Sequence, residues 1–372
     1  KESSAASDVY KRQVLYIITG FFIIGALDYA FGDKLKIGQK FNEGISTMGP
    51  MFLAIAGIYS LSPIMAEFLS EIFTPISNVL SLDPSLFPSM ILAIDMGGYS
   101  LSETMALSSE MRLFSGVLLS STLGTLVSFT LPVAMSIIEK KDIESFIKGT
   151  LAGIITIPIV CFVGGIIQGI NMKVLLWNLT PVIIIVVLIM IAMKICCDKL
   201  VKVLAAVGKC ITYIGMCGLI FQGINIITGA TVISNLVDTQ EVVFVAGKMA
   251  LVLSGAYPMI SVISRVFHKA FIVIGRKLGA DSATVVGILG GLASNLLVFT
   301  TLKDMKEDGK IIACAFSVGG AFIFGGQLGF VSSKAPEILG TFIIVKFLAG
   351  IISIVFAEIL FIIPRRKNQV ME

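Results

Sequence analysis

The sequence predicts an all-α polytopic membrane protein: about nine membrane-spanning helices and two re-entrant, broken helical hairpins, arranged as two inverted repeats. Three observations carry that reading. Of 372 residues, 56% are hydrophobic and only 14% charged, whereas soluble domains carry about 25% charged residues. The apolar residues fall in blocks of roughly twenty, the length a helix needs to cross a hydrocarbon core of about 30 Å. A segment from the first half of the chain recurs in the second.

Taken in order, the strongest apolar runs are 14–31, 45–66, 113–138, 146–170, 174–195, 203–224, 242–266, 311–331 and 341–363. Residues 1–13 are polar and lack the apolar stretch of a signal peptide, and they read as a non-native or disordered leader. That leaves 14–372 as a single integral membrane domain. Two more segments, 84–107 and 281–305, are apolar but interrupted midway, by Asp95-Met96-Gly97-Gly98 and by Ala293-Ser294-Asn295. Each half is too short to span by itself.

Charge placement bears on whether the broken segments cross, because basic connections favour the cytoplasmic side. If both are re-entrant, Lys34/Lys36/Lys40, Lys140/Lys141, Lys194/Lys199/Lys202, Arg265/Lys269/Arg276/Lys277, Lys303/Lys306/Lys310 and Arg365/Arg366/Lys367 all fall inside, with Lys11 and Arg12 outside. If only the first crosses, the basic connection after 194 moves outside. Eleven full spans remain the alternative.

The internal repeat rests first on 151–157, Leu-Ala-Gly-Ile-Ile-Thr-Ile, which recurs at 348–354 with Ser353 as the one change. Similar offsets pair Pro63 with Pro258, Asp83 with Asp281, Ser120 with Ser317, and one broken segment with the other. The copies cover about 42–172 and 240–364. The first begins with a span running outward and the second with one running inward, so they are inverted. Inverted repeats with interrupted helices place unwound backbone at mid-membrane around one site that can face either side, a transporter signature.

Enzyme classes find little support. The single His, His268, lies in a basic amphipathic connection and forms no triad with a partner inside the membrane. The six cysteines show no paired metal-site spacing and read as reduced packing residues. No phosphate-binding loop, nucleic-acid module, metal site or cofactor site is legible. The expected partners are the lipid bilayer and a small-molecule substrate, with a homo-oligomer left open.

Asp95 is the sharpest site candidate, since an ionisable group at bilayer depth is expensive unless a partner or cavity accommodates it. Gly97 and Gly98 would let backbone approach a ligand. The competing reading makes Asp95 the cap of the second half-helix. Ser294 and Asn295 offer a hydroxyl and an amide, or merely satisfy the interrupted backbone. Tyr99 and Tyr257 could present an aromatic face to a cation, although Pro258 makes a kinked packing position an equal reading for Tyr257. Gln327 lies in Gly325-Gly326-Gln327-Leu328-Gly329 and would line the site or serve helix packing. Glu103 reads as a hairpin-end residue near water. Lys248, Lys346 and Glu358, inside apolar runs, read as snorkelling toward the interface.

Several motifs resemble the ethanolamine-utilisation permeases of bacteria, the EutH type. They are Asn42-Glu43-Gly44-Ile45-Ser46-Thr47-Met48-Gly49, Asp95-Met96-Gly97-Gly98, Leu151-Ala152-Gly153-Ile154, Gly255-Ala256-Tyr257-Pro258-Met259, Leu292-Ala293-Ser294-Asn295, Cys314-Ala315-Phe316 and Leu328-Gly329-Phe330. The likeness runs over about 14–364, and the second and fourth motifs are the most specific. It implies a transporter or facilitator importing protonated ethanolamine across the bacterial inner membrane, to feed breakdown in a microcompartment. This chain departs from the family pattern at Gly326-Gln327, where members carry Asp-His, and at Ser294, where they carry Asn. A transporter of an amino acid or nucleoside, and a membrane enzyme acting on lipid head groups, are the competing readings.

Overall fold

A computed structural model describes residues 2–277 and 279–366, and every described element is helical. That is the expected answer for a chain this apolar: without water at bilayer depth each backbone N–H and C=O needs an internal partner, and a helix supplies them within one segment. Among the described residues, six helices are long and apolar enough to cross a membrane, and a seventh follows if the bent pair Gly38–Pro50 and Ile55–Leu80 counts as one span. The chain is a multi-pass membrane protein.

The first half begins with α1 (Glu2–Ala30), α2 (Gly38–Ser46) and α3 (Met48–Leu80). Helix α1 runs through much of the segment expected as a leader. Then come the short α4 (Leu86–Ile91) and α5 (Tyr99–Met105), joined by a turn, and α6 (Ser109–Leu113). Helix α6 leads into π-helical stretches at Phe114–Gly124 and Leu126–Thr130, followed by α7 (Leu131–Ile137) and α8 (Ile143–Ile167). After the long α9 (Met172–Thr228), the second half comprises α10 (Thr239–Val266), α11 (His268–Lys277), α12 (Ser282–Gly291), α13 (Asn295–Thr301), α14 (Glu307–Gly319), α15 (Gly326–Lys334) and α16 (Leu339–Ala357).

Three expected runs differ in detail. The separate stretches 174–195 and 203–224 form one helical run, α9, whose backbone leaves helical geometry at Cys196. The run 311–331 is two helices, α14 and α15, separated by non-helical backbone at 320–325. Its glycines relieve the helix of side-chain packing there, and Gly325 comes so close to the Ala293 carbonyl that a Cβ would not fit. Of the basic clusters read from the sequence, Lys367 lies outside the described residues.

Close helix packing uses glycine. At the α3–α9 crossing Gly57 lies against Gly215 and Gly218, with no room for a Cβ, the small-residue contact that substitutes for hydrophobic driving force in lipid. On α8, Gly149 and Gly153 take Cys314 and Val318 of α14 in the same way.

Both broken segments fold into hairpins. Asp83 takes the amide and hydroxyl of Ser85 at the start of the first. Asp281 takes the amide and hydroxyl of Thr284 at the start of the second.

Candidate functional site

The first hairpin turns through Leu92 and Ala93, both extended, and a π-helical turn Ile94–Gly98. Gly97 sits at φ +99°, in the left-handed region where a side chain is strained. The Ala93 carbonyl accepts from the amides of Met96 and Gly98, at 3.0 Å each. This tight turn carries Asp95, half-buried. Asp95 caps no helix: α5, with Gly98 at its N-cap, has no side-chain cap, and among the described residues no other residue bonds the Asp95 carboxylate. Of the two readings available from the sequence, capping therefore lacks its hydrogen bond.

Gly98 packs closely against protein. A Cβ there would press on Leu92, Ala93 and the Ser120 hydroxyl, so Gly98 lets the hairpin lie against the π-helical stretch, and Gly124 does the same from the other side. The wide turns of that stretch leave side-chain hydroxyls to serve its carbonyls, Thr125 to Ser120 and Ser128 to Gly124.

The second hairpin turns at 292–294. Ser294 caps α13 by accepting the Leu296 amide at 3.3 Å, so the expected backbone role is present. Asn295 is fully buried and donates to the Thr130 hydroxyl at 3.1 Å and the Ser317 carbonyl at 3.0 Å, while its Oδ1 has no partner.

Both hairpin tips hang on the same short stretch. The Ala93 amide donates to the Ser128 hydroxyl at 3.0 Å, and Asn295 holds Thr130. Gln327, at the start of α15, donates to the Thr125 hydroxyl at 2.8 Å and to the Ser121 carbonyl at 3.4 Å. Its Oε1 is buried and unpartnered, as is the Ser120 hydroxyl. The first turn, through Ala93 and Gly98, and Asn295 and Gln327, far apart in sequence, are thus held on one segment, 120–130.

The two tyrosines go elsewhere. Tyr99 is fully buried with its edge toward Phe330, and its hydroxyl joins an ionic network. That hydroxyl contacts Glu103 at 3.2 Å and receives the Arg112 guanidinium at 2.5 Å, and Arg112 pairs with Glu337 at 2.9 Å. Lys334 joins from α15, paired with Glu241 at 2.6 Å, within 4.0 Å of Glu103, and bonded to the Tyr59 hydroxyl, which in turn donates to Glu241. Tyr257 lines a cavity of about 500 Å³ with Ser294, Gly290 and Ala293 on one side and Lys40, Glu43, Arg265 and His268 toward its basic mouth. Asp95 is not among its lining residues.

Reading the sequence missed three features. Glu43, in a quoted motif, lines the cavity and pairs with Lys40 at 2.8 Å. The Tyr59, Glu241 and Lys334 cluster needs partners from α3, α10 and α15, which no local signal joins. Lys346, read as snorkelling, is instead 1% exposed. Among the described residues no group of His, Cys, Asp and Glu could hold a metal.

The comparisons agree with the motifs. Residues 10–360 match the family described as "Ethanolamine utilisation protein, EutH". The chain is 36% identical to the "Probable ethanolamine permease EutH" of Listeria monocytogenes, covering 96% of both chains. It is 35% identical to the "Uncharacterized protein YxeR" of Bacillus subtilis, over 91% of each. Against the "Probable ethanolamine permease EutH" of Salmonella typhimurium the identity is 30%, over 93% of this chain and 94% of the relative. No solved structure matches.

Proposed function

We propose, from the premise that this chain belongs to the EutH family of ethanolamine utilisation proteins, that it imports protonated ethanolamine across the bacterial inner membrane. The names of two relatives support the substrate. The physical support is one observation: a carboxylate without a counter-charge, Asp95, on a hairpin turn held to the same stretch as the turn carrying Asn295.

An ammonium entering between the tips would supply the charge that Asp95 lacks, through charge-assisted hydrogen bonds of about 1.5 to 3 kcal/mol. The unpartnered oxygens of Asn295 and Gln327 are acceptors suited to the alcohol O–H. Tyr257 and Ser294 line the route between the tips and the cytoplasm, where a cation–π contact with the tyrosine ring guides the amine. The basic residues at the cavity mouth support an inward-open assignment.

The topology in this reading has nine spans. Helix α9 supplies two, divided at Cys196, and α14 with α15 forms one broken span. The hairpins 84–107 and 281–305 enter from opposite faces as parts of inverted repeats at about 42–172 and 240–364. The clasps at Asp83 and Asp281 support re-entry, because each holds a hairpin mouth on one side.

The test is uptake of labelled ethanolamine into proteoliposomes at acidic pH, where little neutral amine diffuses through lipid. Saturable uptake above empty vesicles, competed by unlabelled ethanolamine but not by an amino acid or nucleoside, is expected. Uptake equal to that of empty vesicles overturns the reading.

A further inference from the structure

Lys346 is the one lysine among the described residues that is buried as a whole residue, at 1% exposure. Its Nζ donates to the Ser121 carbonyl at 2.9 Å, and no carboxylate acts on it. An ammonium has three N–H donors, so this site satisfies a cation only in part.

Among the described residues no carboxylate bonds Nζ, and Asp95, on the turn held to the same stretch, is the carboxylate the substrate ammonium meets. The π-helical stretch packed on α16 offers hydroxyls and carbonyls, and Cys161 of α8 bonds Thr122. Several charged side chains of the packed elements are engaged elsewhere: Glu144 with Lys148 on α8, Lys310 of α14 with Asp142, Lys334 of α15 with Glu241, and Glu337 with Arg112. Glu358, whose Oε1 has no partner, lies twelve residues further along, about 18 Å down the helix axis from Lys346. Glu307 and Asp308 of α14 pair with Arg365, and Asp28 of α1 receives the amides of Leu35, Ile37 and Gly38.

The amine is nevertheless tied to the hairpin tips. Gln327 shares the Ser121 carbonyl with it and also holds Thr125, on the stretch where Ser128 and Thr130 anchor the two turns. Two cations in one low-dielectric enclosure repel strongly. A lysine can resolve this by giving up its proton, which an arginine cannot.

We propose that Lys346 is the proton-exchange group of the carrier, protonated when the hairpin tips are empty and neutral when an alkylammonium occupies them, so that one proton leaves for each amine cation imported. The proposal rests on the transport reading above. On loading, the ammonium N–H bond breaks, its electron pair stays on Nζ, and the proton passes to water on the side the substrate came from. After release on the other side, Nζ takes a proton from that water. The site then carries the same net charge in both crossings, with Asp95 facing one cation in each, and transport is an electroneutral exchange.

The experiment uses the full chain in liposomes with a pH-sensitive dye inside, labelled ethanolamine outside, and a potassium diffusion potential. For the wild type, the lumen alkalinises by about one proton per ethanolamine taken up, beyond empty vesicles, and the rate is indifferent to the potential. Lys346→Gln is expected to take up ethanolamine without alkalinisation and faster with the lumen negative. Lys346→Arg, permanently charged, is expected to lose at least about tenfold in uptake while melting as the wild type does. Wild-type uptake that is potential-driven and moves no proton overturns the proposal, as does unchanged proton coupling in Lys346→Gln. Absence of any wild-type uptake overturns the ethanolamine reading instead, and with it the premise.

Discussion

Asp83 accepts the amide of Leu107 at 3.0 Å, and Asp281 accepts the amide of Lys306 at 2.8 Å. In each case the other carboxylate oxygen holds the opening turn of the first half-helix, so one side chain clasps both arms of its hairpin. The same device stands at corresponding points of the two proposed repeats, which supports a common origin for the hairpins.

The clasps give a stability prediction. Asp83→Ala leaves the buried Ser85 amide unpaired, at about 1 to 3 kcal/mol, and should lower the melting temperature in detergent. Asp281→Ala frees a part-buried and an exposed amide and should lower it less. Both substitutions should also raise thiol labelling of a cysteine placed at the opposite arm. Melting curves that match the wild type would show that the clasp holds nothing.

For Asp281 the pH dependence has a sign. Burial pushes its carboxyl up, but bonds from the Thr284 hydroxyl and amide and the Lys306 amide outweigh that and hold it below the ordinary value. A depressed carboxylate contributes stability above its unfolded pKa of about 3.9, and that contribution is lost as pH falls through the folded value. The melting-temperature gap between wild type and Asp281→Asn should be full near neutrality and close below about pH 4. A gap that widens in acid would contradict the assignment.

Asp95 separates function from stability. It caps no helix and has no partner beyond its own amide, so Asp95→Asn should melt no lower than wild type. Loss of a charge-assisted contact of about 1.5 to 3 kcal/mol predicts at least about a tenfold fall in ethanolamine uptake. A variant that folds normally and transports normally would remove Asp95 from the site.

What was legible follows from how local each signal is. The hairpin turns announced themselves because Asp95-Met96-Gly97-Gly98 and Ala293-Ser294-Asn295 interrupt apolar sequence with residues that suit turns. The Asp83 and Asp281 pairing was visible through the repeat. The break at 320–325 was not, since glycines inside an apolar run read equally as helix packing, and only the approach of Gly325 to Ala293 decides. Lys346 was misplaced because its distance from the helix start suggested snorkelling, whereas its burial depends on which face of α16 meets Ser121. Tyr99 read as an aromatic face for a cation, and its place in an ionic network was not visible because Lys334 and Glu337, its network neighbours, are remote in sequence.

Tyr257 makes a graded test of the cavity. It contributes a ring to the wall beside Ser294, and in the proposed route the ring face is what the amine meets. Tyr257→Phe should leave KM for ethanolamine within about twofold, while Tyr257→Ala should raise it by several-fold, from a cation–π contact of about 0.5 to 2 kcal/mol. Equal effects of the two substitutions in a kinetic uptake assay would assign the role to the hydroxyl.

The cluster of Lys334, Glu241 and Tyr59 lies where α15, α10 and α3 meet, and Glu103 ties the first hairpin to it. In the proposed topology this is the outer face, opposite the basic cavity mouth, so the network closes the outside while the inside is open. Lys334 is the hinge of that closure, because its side chain is 13% exposed and meets both carboxylates. Lys334→Met leaves the half-exposed Glu241 without its ion-pair partner at a cost of about 0.2 to 1 kcal/mol, borne only in the closed-outside state. The balance should therefore move toward outward-open by a factor of up to about 5. A cysteine at Ser261, on the cavity wall, should label more slowly from the cytoplasmic side in the Lys334→Met background, and a cysteine at the outer rim faster. Unaltered labelling at both positions would mean that the cluster fastens helices without governing access.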